Sequence, residues 1–155
     1  MIDLINQLEK AYNGAAWHGN NILSLLSNAD PSKVFSYPIA NTHSIAEITL
    51  HLTVWTEEVT DRVNGLTAKE PIAGDWPQPK EMSVQEWEVI VNNFKAVNNK
   101  LILKLKTLQT EQWSIPVKDE RDNELSSVVN NAELINGLIQ HHAYHDGQIA
   151  IMLKF

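Results

Sequence analysis

A chain of 155 residues with 43% apolar side chains has enough material for a single domain over residues 1–155, and its net charge of −7 argues against a nonspecific nucleic-acid surface. It contains no cysteine, which excludes a thiol nucleophile, a thiolate metal ligand or a disulfide of its own. The opening Met1-Ile2-Asp3-Leu4 lacks the pattern of a signal peptide, and no window approaches the ~18 apolar residues of a membrane span. The expected setting is cytoplasmic, away from membranes.

Four long stretches carry helical periodicity. The first runs from about Ile2 to Ser27, with Leu4, Ile5, Leu8, Tyr12, Ile22, Leu23 and Leu26 among its apolar positions and His18 inside it. Gly14 and Gly19 lie within this stretch, where they permit a local bend or a close backbone approach. Phe35-Ser36-Tyr37-Pro38 reads as extended, because the residue before proline avoids the helical region. The second helix starts at Ser44, with Glu47 three residues on completing a capping-box pattern, and stops at Gly65. Its apolar stripe is Ile45, Ile48, Leu52, Trp55, Val59 and Val63.

Leu66 to Met82 then form a connection punctuated by Pro71, Gly74, Pro77 and Pro79. A loop this long can cross the whole length of a bundle and let the second and third helices run parallel. The third helix begins at Ser83, with Glu86 at the capping-box position, and carries Trp87, Ile90, Phe94, Leu101 and Leu105 toward about Thr110. An irregular stretch follows, with Ile115-Pro116-Val117 extended and a polar turn over Asp119 to Asn123. The fourth helix spans about Asn131 to Lys154. Four helices without convincing strand pairs give an all-α fold, a four-helix bundle. Lys100, Lys104 and Lys106 read as a solvated helix face.

Chemistry concentrates near the end of the chain, at Gln140-His141-His142-Ala143-Tyr144-His145-Asp146-Gly147-Gln148. His141 and His145 are four residues apart, so a helix points both imidazoles at one place, as metal sites require. The same spacing also fits a pair of buried, hydrogen-bonded histidines. His51, on the apolar stripe of the second helix, is the best third ligand. His142 is turned about 100° from His141, toward a neighbouring helix or solvent, and falls outside the ligand set. His43 reads as a loop or cap residue. Glu47 is a second-shell acceptor only if the cap leaves it free. His18 is a substrate contact or a packing residue, Tyr144 and Gln148 line the mouth of a cavity, and Asp146 is solvated.

These residues resemble the DinB-like family, part of the DinB/bacillithiol-transferase group of metal-binding four-helix bundles. The likeness rests on Ala16-Trp17-His18-Gly19, on His43-Ser44-Ile45-Ala46-Glu47 leading to His51 and Trp55-Thr56-Glu57, and on Gly137-Leu138-Ile139-Gln140-His141 with Tyr144-His145-Asp146-Gly147-Gln148-Ile149. Asp75-Trp76-Pro77 is compatible with it. The resemblance implies a metal held by His51, His141 and His145, an up-down-down-up bundle with a long crossover between its second and third helices, and a homodimer. His18, Glu47, Trp55, Tyr144 and Gln148 are the expected surrounding contacts. Characterised relatives include transferases and isomerases that use a low-molecular-weight thiol.

The leading expectation is therefore a metal-dependent thiol S-transferase. A divalent transition metal (zinc, nickel or iron) would act with an external low-molecular-weight thiol on a small electrophilic substrate. The alternatives are a metal-dependent hydrolase, a non-catalytic metal-binding or stress-response protein, and a helical dimerisation module whose histidines are core residues.

Overall fold

Asp3 opens the first helix by accepting the backbone N–H of Asn6 at 3.0 Å, and α1 runs over Leu4–Asn13. The computed structural model describes residues 3–119 and 129–155. The continuous first helix expected to reach Ser27 is in fact two. Gly14 leaves the helical region, and Ala16 and Gly19 close a tight turn in which Gly19 adopts φ +125°, a conformation that side chains disfavour. Asn21 then caps α2 (Ile22–Ser27) through Ser24 N at 2.9 Å and reaches back to the Gly14 carbonyl at 2.8 Å, stapling the two sides of the turn. His18 consequently lies in a turn rather than a helix.

α3 (Ile45–Val63) begins at the capping box that the sequence indicates: Glu47 N donates to Ser44 Oγ at 3.2 Å, and Ser44 N to Glu47 Oε2 at 2.7 Å. It is buried on most sides. Thr49, Thr53, Thr56 and Thr60 reconcile that burial with their hydroxyls by donating to carbonyls one turn back, each at 2.7–2.8 Å. Gly65, at φ +88°, marks the end of the helix.

The crossover from Leu66 to Ser83 is pinned at its start and turned in its middle. Buried Glu58 receives both Arg62 Nε at 3.0 Å and the backbone N–H of Lys69 at 2.7 Å, and Ala68 N donates to Lys118 O at 2.7 Å. A turn from Pro71 to Gly74 sends the following residues, Asp75 and Trp76, back against α3.

Ser83 caps α4 (Val84–Leu105), but Glu86 does not complete a capping box; its carboxylate takes Lys80 N at 3.2 Å instead. α4 ends at Leu105 rather than near Thr110, as Thr107 Oγ1 claims the Lys104 carbonyl at 2.7 Å, and a short 3-10 helix follows at Thr110–Ser114. Val117 N pairs with Val129 O at 2.8 Å beside a bridge between Pro116 and Asn130. Apart from Asp119, the polar turn expected over Asp119 to Asn123 lies outside the described residues. α5 spans Asn131–Met152 behind a capping box of Asn130 and Glu133.

α1, α3, α4 and α5 form a four-helix core: α3 packs on α4 and α5, and α1 packs on α5 and α4. Leu8, Tyr12, Ile22, Leu52, Phe94, Leu101, Ile135 and Ile149 fill it, each essentially inaccessible. The ring edges of Tyr12 and Phe94 meet at 6.0 Å between centroids. This packing fixes the relative position of α3 and α5, the two helices that carry the clustered histidines. No helix among the described residues is long and apolar enough to cross a membrane.

Candidate metal centre

His51 projects from the middle of α3, and His141 and His145 from successive turns of α5. Their Nε2 atoms converge: His141 Nε2 lies 2.9 Å from that of His51 and 3.0 Å from that of His145. One ligand nitrogen from each residue falls within 4.8 Å of the others. The three rings meet edge to face, with centroids 4.6–4.9 Å apart.

The outward nitrogens determine the tautomers. His51 Nδ1 lies 2.7 Å from the Asp75 backbone oxygen, and a carbonyl only accepts, so Nδ1 carries the proton. His145 Nδ1 lies 2.7 Å from Gln148 Oε1 and is a donor for the same reason. Two neutral imidazoles therefore aim bare Nε2 lone pairs at His141 Nε2, which has at most one proton to offer. At least one lone pair faces another across about 3 Å, which is unfavourable unless a cation lies among them. Histidine nitrogens in this disposition are a fitting donor set for a divalent transition metal.

Burial favours the neutral form of all three imidazoles. Burial pushes His141 and His145 down to about 4, with neighbouring imidazoles adding to the effect. Burial also lowers His51, partly opposed by its bond to Asp75 and by that residue's carboxylate.

The crossover supplies one wall of the centre. Asp75 Oδ1 accepts the Trp55 indole N–H at 2.6 Å and lies 3.3 Å from His51 Nδ1. The Trp76 indole stacks on His51 at 3.9 Å and on His43 at 3.5 Å, both nearly parallel. Beside the cluster a cavity of about 330 Å³ is bounded by Trp76, His145, Gln148 and Tyr144, with His43 in its wall.

Several expected contacts fall elsewhere. The Glu47 carboxylate is not the partner of a His51 ring nitrogen: Oε2 closes the helix cap, and Oε1 takes the Tyr37 hydroxyl at 3.0 Å. His18 stands apart from the three-histidine cluster, its Nε2 3.9 Å from Asp146 Oδ2. Asp146, expected in solvent, is 3% exposed; both its oxygens lack hydrogen-bond partners, and burial pushes its carboxyl up to about 8. It lies one turn from buried His142 and Ile149 and so faces the core, with His18 of the turn between α1 and α2 nearby. His142 is fully enclosed, with Nε2 3.4 Å from Thr56 Oγ1, and is no member of the cluster. Trp55, by contrast, sits one turn beyond His51 and steadies Asp75, and Gln148 orients His145 directly.

Sequence reasoning placed His43 in a loop or cap and took Asp75 and Trp76 only as compatible with the family resemblance, giving none of them a role at the site. The available signal was a polar-aromatic pair, Asp75-Trp76, in a long proline-punctuated loop, since functional residues concentrate in such loops.

This helical bundle draws three histidine nitrogens together from two helices into a cluster that could hold a metal ion. The chain belongs to the DinB superfamily, whose family model matches residues 15–149, a span that includes His51, His141 and His145. It is also similar to a Bacillus subtilis (strain 168) protein described as "Uncharacterized protein YrdA", with 29% identity over 89 residues. That match covers 57% of this chain and 47% of the relative, about half of its length.

Proposed function

We propose that this protein holds one divalent transition metal (zinc, nickel or iron) at His51, His141 and His145 and transfers an external low-molecular-weight thiol to a small electrophile. The observation that carries this reading is the convergence of Nε2 atoms at 2.9 and 3.0 Å while the Nδ1 protons of His51 and His145 point outward to fixed acceptors. Three neutral imidazoles leave coordination positions open, and a divalent metal so held acidifies a thiol or water that occupies one.

The chain's own residues prepare the site. Asp75 and Gln148 orient two ligands, and Trp76 covers the His51 ring. In the transfer, a sulfur–carbon bond forms as the thiol gives up its proton and the electrophile its leaving group. Because the chain has no cysteine, that sulfur comes from outside. Thiol transfer is favoured over hydrolysis because a hydrolase needs a positioned base, and both oxygens of Glu47 are engaged in the cap and by Tyr37. The family resemblance extends the reading to an up-down-down-up helix order across the crossover, a homodimer and a cytoplasmic location.

Elemental analysis of untagged protein tests the metal, with one ion per chain expected. Trace metal only, even after reconstitution, overturns the reading. Conjugation of several small thiols to a generic electrophile then tests the reaction. A metal-dependent rate is expected; its absence with every thiol leaves a metal-binding protein without transferase activity.

A further inference from the structure

The cavity of about 330 Å³ beside the cluster has a chemical character of its own. This volume lies at the small end of ligand pockets, about 300–1,000 Å³. Its body is apolar: Ile39, Ile48, Ile151 and Met152, with the rings of Trp76 and Tyr144. Its polar lining consists of Asn41, Thr42, His43, His145 and Gln148, so no lysine, arginine or carboxylate is among the described lining residues. His145 is one of the lining residues, so the cavity adjoins the histidine cluster. Gln148 lines the same space and uses Oε1 to hold His145, so its amide N–H groups are the donors it can still offer.

We infer that this cavity seats the electrophile rather than the thiol, and that its occupant is an uncharged, largely apolar small molecule carrying a hydrogen-bond acceptor. The inference rests on the proposed transferase reading for the identity of the two reactants, while the cavity's preference for an uncharged guest stands on its lining. The proposed metal offers its open position to the thiolate, and a carboxylate seated among the other lining side chains would lose hydration and find no lysine or arginine there, a penalty that an uncharged molecule of the same shape avoids. A thiol carrier bearing carboxylates therefore approaches from outside this space.

Nitrobenzene and benzoate form a nearly isosteric probe pair, one uncharged and one anionic. Binding is followed by amide NMR at pH 8, above the ordinary imidazole range, on zinc-loaded and metal-free protein. On the metal-free protein, where the lining alone decides, nitrobenzene is expected to bind saturably, shifting the amides of Ile48, Tyr144 and Ile151, and at least about tenfold more tightly than benzoate; on the zinc-loaded protein it is expected to shift the same amides. Ile151, 57% exposed at the cavity rim, offers a site for a charge swap. Ile151→Lys should reverse the preference while the variant still takes up one metal per chain. Equal binding of the two probes by the metal-free protein, no saturable nitrobenzene binding, or an unchanged preference in Ile151→Lys overturns the inference. Selective nitrobenzene binding by a protein that takes up no metal sustains the cavity's preference and overturns the metal reading instead; metal uptake without probe binding does the reverse.

Discussion

His51 gives its Nδ1 proton to the backbone carbonyl of Asp75, 2.7 Å away, and so turns its bare Nε2 toward His141. A residue 24 positions along the chain thus sets the tautomer and the aim of a candidate ligand. The carbonyl is held in place because the Asp75 side chain takes the Trp55 indole N–H at 2.6 Å, and Trp55 lies one turn from His51 on the same helix.

Removing that carboxylate should loosen the carbonyl without removing any of the three histidines. Asp75→Ala is expected to lower metal affinity by about 10–100-fold, the usual cost of losing a ligand's supporting partner, with one metal per chain still bound at saturation. Competition against a chelator of known affinity measures this. Unchanged affinity would show that the loop backbone holds His51 without help from the Asp75 side chain.

The three converging histidines and their enclosed neighbour should respond in opposite ways. His51→Ala, His141→Ala and His145→Ala are each expected to abolish stoichiometric metal binding. His142 has an unpartnered Nδ1 in a fully enclosed position near Phe94. His142→Leu should keep the metal and raise the stability of the metal-free protein by about 1 kcal/mol, by removing a buried polar atom that has no partner. Urea denaturation and elemental analysis of the four variants together decide the matter; loss of metal in His142→Leu would place that residue in the ligand set.

Helical periodicity and capping signals located the helix containing His51 and the one containing His141 and His145, because both features are local: Ser44 and Glu47 lie within one turn, as do the two α5 histidines. His51 was legible as the best third partner because it is a histidine on the apolar stripe of its helix, and the family resemblance named the same trio. What the sequence hid was set by tertiary packing. The break at Gly14 to Gly19 depends on Asn21 reaching back across the turn. Asp146, by contrast, stands one turn from buried His142 and Ile149 on α5, so its burial lay in the helical spacing and was masked by its polar side chain. Trp76 and His43 meet although they are far apart in sequence, and no periodicity links a crossover loop to a helix cap.

The depressed imidazoles predict acid sensitivity of the metal-free protein. His141 and His145 are pushed down to about 4 and His142 to about 3, each chiefly by burial, whereas the unfolded chain protonates near the ordinary 6.5. Between those values the unfolded state binds more protons, so stability rises with pH up to about 6.5 and is lost as pH falls toward 4. Saturating metal should carry the folded state to lower pH, because it binds the native ligands and not the unfolded chain. Urea titrations at pH 7 and 5, with and without metal, check both signs. A metal-free protein equally stable at both values would contradict the burial of these rings.

Asp146 imposes the opposite slope. Its carboxyl is pushed up to about 8 by burial, from an ordinary 3.8, so the native state holds a proton that the unfolded chain has already released. Its contribution to stability therefore falls as pH rises from about 4 to about 8. Below about pH 6.5 three imidazoles outweigh this single group; above it the carboxyl acts alone. The metal-free protein should be most stable near pH 6.5 and weaken toward pH 8. Asp146→Asn keeps the shape but cannot ionise, so the variant's stability relative to the parent should improve steadily over that range. Thermal denaturation of both proteins at pH 6.5 and 8 tests it. If the parent loses no stability between these values, or the variant loses as much, then Asp146 has a partner for its charge, with His18 Nε2, 3.9 Å from Oδ2, the nearest group able to supply one.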